Sequence, residues 1–166
     1  LDQEEIRVKL GFSGDPIITA DGAFDVYRGD TLFMDLEAGD EVEVSLRNDS
    51  YQLEYDAYAW VVDEVPRFVP RNTSTIMEIT NYEKRPAWNT ALNDNLYRGV
   101  LEVQNVDNQL VVINELPMGM YLRGLAEATN SEPIEKIRTM TILARTYARW
   151  YMEFEEKFPG KPYNLD

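Results

Sequence analysis

The sequence predicts an α+β fold, β-rich in its N-terminal part and helical in its C-terminal part. Two observations carry this. Short alternating or β-branched runs, punctuated by Asp- and Gly-containing turns, recur up to residue 114. From Leu116 the hydrophobic period changes to that of a helix. The chain has 166 residues and an apolar fraction of 44%, enough for a real core.

The elements follow in order. IRVKL (6–10), AFDVYR (23–28), TLFMDL (31–36) and EVEVSL (41–46) read as strands. SGD, ADG, RGD and AGD lie between them or at their ends, because Asp caps its own backbone and Gly accepts positive φ. The RGD at 28–30 is turn punctuation on this reading. YQLEYDAYAWVV (51–62) reads as one longer strand, PRFVPRN as a Pro-rich connection, and STIMEIT (74–80) as a further strand. YEKRPAWNTALNDN (82–95) is polar and irregular. LYRGVLEVQNV (96–106) and QLVVIN (109–114) predict a hairpin turning at Asp107-Asn108, a pair that tolerates left-handed φ.

The helical part starts with a Pro-Met-Gly-Met run, read as an interruption of the helix pattern. YLRGLAEA (121–128) predicts a short helix ended by Thr-Asn-Ser. Ser131 is placed to cap the next helix, with Pro133 in its first turn. Ile134, Ile137, Thr141, Ala144, Ala148 and Tyr151 then mark an amphipathic helix, ended by Lys157-Phe158-Pro159-Gly160. Ile142 and Leu143 widen the stripe, which predicts a helix covered on more than one side.

The chain has no Cys and no His, which removes Cys-His and Ser-His-Asp catalysis, the usual zinc sites and disulfides. No phosphate-binding Gly-rich loop and no calcium-loop spacing is present. No cofactor and no metal is expected; a site built from carboxylates alone is the one metal option the composition leaves open. The net charge is −14, with 9 basic and 22 acidic residues in 1–114 against 7 and 8 in 115–166. A field of this sign repels phosphate backbones and anionic membrane surfaces, so nucleic acid is not an expected partner. No apolar run approaches the roughly 18 residues of a membrane span, and no signal peptide is visible. The chain begins at Leu and is read as a mature or trimmed fragment.

Chemistry must therefore come from carboxylates and their neighbours. Glu115 and Glu127 are the nearest pair in the helical region, but the Pro-Met-Gly break between them leaves their geometry undefined. One carboxylate suffices when the substrate supplies its own nucleophile. Such an acid needs an apolar neighbourhood that raises its pKa. Glu127 in LAEATNS has one along the chain; a surface or helix-end acid is the alternative. Arg145, among Ile142, Leu143, Ala144 and Ala148, is either ion-paired in the interior or a snorkelling surface residue. Tyr147 reads as a core aromatic or a sugar-stacking one.

YRGVLEVQN (97–105), VVINELPMGMYLRGLAEA (111–128) and ARTYA (144–148) together resemble the stage II sporulation protein D family (SpoIID/LytB). That family shows a small β-hairpin, an "(V)xNxLPLExYLxGVxxxEM" stretch and a helix bearing "KAxAxAARTYA". The resemblance is specific over 97–148 and looser before it. It implies a peptidoglycan-acting protein, extracytoplasmic in the cell envelope or secreted. Its implied partners are glycan strands and a cell-wall amidase. The implied activity is lytic transglycosylase cleavage between MurNAc and GlcNAc, leaving a 1,6-anhydro end. The alternative is a non-catalytic wall-binding or amidase-enhancer module.

The resemblance places Glu127 on the family's catalytic acid, and Tyr121, Arg145 and Tyr147 at substrate-binding or supporting positions. Met118-Gly119-Met120 stands where the family carries an acidic stretch. Family members that bind zinc use His and Cys, which this chain lacks. Relatives continue with a second, Gln-Tyr-containing block, so residues 1–166 are expected to form a single domain that stops short of it, with 1–114 as lead-in and 115–166 as motif region.

Overall fold

The computed structural model describes residues 4–87, 89–124 and 132–166. The protein is α+β, with β-strands through its first 117 residues and helices after them. The chain divides into two compact units, one of residues 10–114 and the other of residues 1–9 and 115–166.

The 10–114 unit holds eleven strands: β2 (Ile17–Ala20), β3 (Phe24–Arg28), β4 (Thr31–Leu36), β5 (Val42–Arg47), β6 (Ser50–Tyr55), β7 (Tyr58–Val62), β8 (Pro66–Pro70), β9 (Met77–Ile79), β10 (Leu96–Tyr97), β11 (Val100–Val106) and most of β12 (Gln109–Pro117). One sheet runs β10-β9-β2-β5-β6-β7, and the other places β12, β11, β8, β3 and β4 side by side. Alternation decides which faces meet. Val42 and Val44 of β5, Leu53 of β6, and Ile18, Met77 and Ile79 come from the first sheet, and Phe24, Val26, Phe68, Leu101 and Val103 from the second; all are essentially fully buried in one cluster. The Tyr51 hydroxyl ties the sheets by accepting from the Asn105 N–H at 2.9 Å.

Several strands differ from expectation for local reasons. Residues 51–62 form two strands: Tyr55 pairs with Tyr58 around Asp56-Ala57, and Asp56 takes the left-handed φ of 54° that this short polar side chain accepts. PRFVP is an interior strand, β8, pairing with both β3 and β11. Its two prolines sit at its ends, and Phe68 between them is fully buried. IITA, left unassigned by sequence, is β2. Residues 96–106 are broken at Arg98-Gly99, where Gly99 at φ 83° lets the chain pass from one sheet to the other. The hairpin at Asp107-Asn108 forms, with both residues at positive φ (54° and 66°) as a two-residue loop of this kind requires.

The other unit contains β1 (Glu5–Lys9), the end of β12, α1 (Met118–Arg123) and α2 (Ile134–Glu153). The Pro-Met-Gly-Met run opens α1 instead of interrupting a helix. Pro117 occupies the N-cap position at φ −57°, where its missing N–H costs nothing, and the Met118 N–H donates to the Glu4 carbonyl at 2.8 Å. Pro133 is the N-cap residue of α2, not a first-turn residue, and α2 ends at Glu153, four residues before the expected stop. Ser131 lies outside the described residues, as do 125–128 of the predicted short helix. The helix α2 is covered on one side only: Ala148 is its sole buried described residue, while Ile142 and Leu143 are 65% and 57% exposed.

A small cluster holds this unit together: Ile6, Leu116, Met118, Ala148 and Leu165, with Val8, Met120, Tyr121, Tyr151 and Met152 packed around it. The C-terminal segment pairs with β1. Val8 and Leu165 form a parallel bridge, the Lys9 N–H donates to the Leu165 carbonyl, and the Asn164 N–H donates to the Arg7 carbonyl, both at 2.8 Å. Arg7 pairs with Glu115, and the Arg149 guanidinium donates to Glu4 at 3.0 Å. Among the described residues no helix is long and apolar enough to cross a membrane.

Candidate functional site

The helical unit carries an open groove of about 1100 Å³ lined by α1, α2 and the C-terminal residues. Its walls follow from helix periodicity. Leu143, Tyr147 and Trp150 recur at spacings of four and three along α2, which puts them on one face, and Tyr151 stands one turn beyond Tyr147. Tyr121 and Arg123 come from α1.

The groove gathers residues from separate motif segments. Tyr121 from YLRG and both Arg145 and Tyr147 from ARTYA line it. Glu127 lies outside the described residues. Arg145 is exposed, with no carboxylate partner among the described residues, so the buried ion pair considered for it does not occur there. Tyr147 is not a core aromatic: it is 46% exposed and packs edge-on against Tyr151, ring centroids 4.8 Å apart.

Four charged or aromatic residues not singled out as site residues from sequence also line it. Trp150, half exposed, stacks at a tilt on Phe154 with centroids 5.4 Å apart. Its signal was present, since it lies three residues beyond Tyr147. Arg123 projects from the last turn of α1. Lys157 and Asp166 arrive from the C-terminal segment, which no local pattern joins to α2. Lys157 Nζ donates to Asp166 Oδ1 at 2.8 Å and lies 5.6 Å from the Tyr147 ring centre. Hydrogen bonds to Asp166 first, and to Tyr147 second, hold its ammonium above the usual lysine range.

The result is a trough with aromatic walls (Tyr121, Tyr147, Trp150, Tyr151) and three cations, Arg123, Arg145 and Lys157. Asp166 is its one described carboxylate, and it is engaged by Lys157. Aromatic faces take the apolar faces of sugar rings, and cations take anionic substituents. Among the described residues no group of three or more His, Cys, Asp or Glu is gathered in a way that would hold a metal ion. No protein-family model, no curated protein and no solved structure matches the chain.

Proposed function

We propose that the chain acts on peptidoglycan glycan strands outside the cytoplasm, with the groove of the helical unit as the glycan site. The observation that carries the reading is the meeting of Tyr121, Arg145 and Tyr147, from two separated motifs, on one aromatic groove. The chemistry is that of a lytic transglycosylase. Glu127 protonates the glycosidic oxygen as the bond from MurNAc C1 breaks. The MurNAc C6 hydroxyl then bonds to C1 and gives its proton to the same carboxylate, so no water is consumed. The deciding experiment incubates wild type and Glu127→Gln with purified, peptide-stripped glycan strands and quantifies anhydro products. The mutant yields none if the assignment holds; an unchanged yield removes Glu127 from the mechanism.

A second reading is a non-catalytic wall-binding module that assists an amidase. It is favoured by the groove's described lining, whose one carboxylate is tied to Lys157. On this reading wild type and Glu127→Gln retain glycan strands equally and neither forms product.

A further inference from the structure

The helical unit has five arginines, and three of them are spoken for. Arg7 pairs with Glu115, Arg138 with Glu135, and Arg149 with Glu4 and Glu153. The remaining two, Arg123 and Arg145, have no carboxylate or hydrogen-bond partner among the described residues, and both line the groove. The chain has 30 acidic residues for 16 basic ones, so acids to satisfy a guanidinium are abundant. Two arginines in one trough that no described residue engages are open to an anionic ligand.

We propose that Arg123 and Arg145 select a glycan that carries a carboxylate, an inference that rests on the groove being a glycan site. A guanidinium presents two parallel N–H donors that fit a carboxylate's two oxygens, a match a neutral hydroxyl does not offer. Lys157 does not compete for this role because Asp166 and Tyr147 hold its ammonium. The charge of the whole chain sets the ligand's character. At −14 it repels a densely charged polyanion at long range. An isolated carboxylate on an otherwise neutral sugar chain avoids most of that repulsion, since it acts at contact distance and within roughly one Debye length of about 8 Å. Tyr147 and Trp150 contact the sugar face while the arginines take the acid.

Peptidoglycan offers this carboxylate from two sources: the lactyl group of a MurNAc that bears no peptide, and the acidic residues of the stem peptide. Calorimetry separates them with four tetrasaccharide probes: neutral chitotetraose; a MurNAc-GlcNAc tetrasaccharide with free lactyl carboxylates; the same sugar with those carboxylates amidated; and the stem-peptide-bearing sugar. A carboxylate-bearing probe binds roughly tenfold tighter than chitotetraose, about the factor one charge-assisted contact supplies. The gap narrows as salt rises, and the double variant Arg123→Gln/Arg145→Gln binds charged and neutral probes alike. Whichever charged probe shows the gap names the source. Equal binding of all four probes by wild type overturns the selectivity and leaves the glycan reading intact. No binding of any probe overturns both. Both arginines are exposed, and a circular dichroism spectrum matching wild type verifies that the double variant is folded.

Discussion

Replacing Ile6 with alanine tests whether the N-terminal strand holds the groove-bearing helices in place. Ile6 is fully buried in the small cluster with Leu116, Met118, Ala148 and Leu165. The substitution removes three carbons, worth about 2.4 kcal/mol at roughly 0.8 kcal/mol per buried carbon. The cavity left behind adds to this, and the measured range for such truncations is about 2–5 kcal/mol. A loss of about 3 kcal/mol follows, a large share of the roughly 5–15 kcal/mol that holds a domain. The helix α2 is held through this cluster, by buried Ala148 and the half-buried Tyr151 and Met152, and isolated helices are marginal in water. Both described helices belong to this unit, so ellipticity at 222 nm in a urea titration reports on it. The midpoint falls at unchanged slope, and glycan retention falls with it. A loss below about 1 kcal/mol would refute the claim that this cluster organises the unit.

Three more outcomes are expected. Asn114→Ala removes a buried amide that donates to the Arg98 carbonyl at 2.8 Å and the Val100 carbonyl at 3.1 Å, on either side of the Gly99 crossing. It costs about 1–3 kcal/mol in urea melts, more than the ±0.5 kcal/mol typical of surface changes. Burial first, then electrostatic interaction with Tyr82 and Asp94, pushes the Tyr97 phenol above its usual range, and burial pushes up Tyr51 as well. The folded state keeps these protons after the unfolded chain has released its own, so stability falls as pH rises above about 10. Urea midpoints at successive pH values measure this, and Tyr97→Phe flattens the slope; an identical slope in the mutant rejects the assignment. Trp150→Ala leaves stability within about 0.5 kcal/mol because the ring is half exposed, while affinity for a neutral chitin oligosaccharide drops several-fold, by about 0.5–1.5 kcal/mol.

The order of strands and helices was legible because alternation and turn chemistry are local. TLFMDL is β4 at the predicted residues, and Asp107-Asn108 turns where its chemistry demands. What was not legible depends on neighbours far along the chain. PRFVP looks like a linker because two of its five residues are prolines, and only the placement of β3 and β11 on its two sides makes it a strand. The membership of β1 in the helical unit is equally invisible, since its partner Leu165 lies at the other end of the sequence. The reading of residues 51–62 failed for a local reason: Asp56 supplies the turn, but no Gly or Asn-Gly pair advertises it.

The site was half legible, and the division follows from how its parts are spaced. Arg145, Tyr147 and Trp150 lie on one helix, so a period of 3.6 sets their relation before any tertiary contact forms. Tyr121 reaches the same groove because Pro117 starts α1 and the Glu4 carbonyl accepts from Met118, fixing where that helix begins. The Pro-Met-Gly-Met run is therefore a starting signal, and its lack of an acid removes charge from a place where the backbone N–H is already satisfied by β1's neighbour. Lys157 and Asp166 enter only through the pairing of the C-terminal segment with β1. Their mutual engagement uses up one cation of the three and leaves the two guanidiniums as the groove's charges with no partner among the described residues. The groove's electrostatics therefore depend on β1 as well as its shape: where the pairing of Leu165 with β1 is lost, Asp166 is no longer positioned on Lys157, and the groove changes its charge along with its walls.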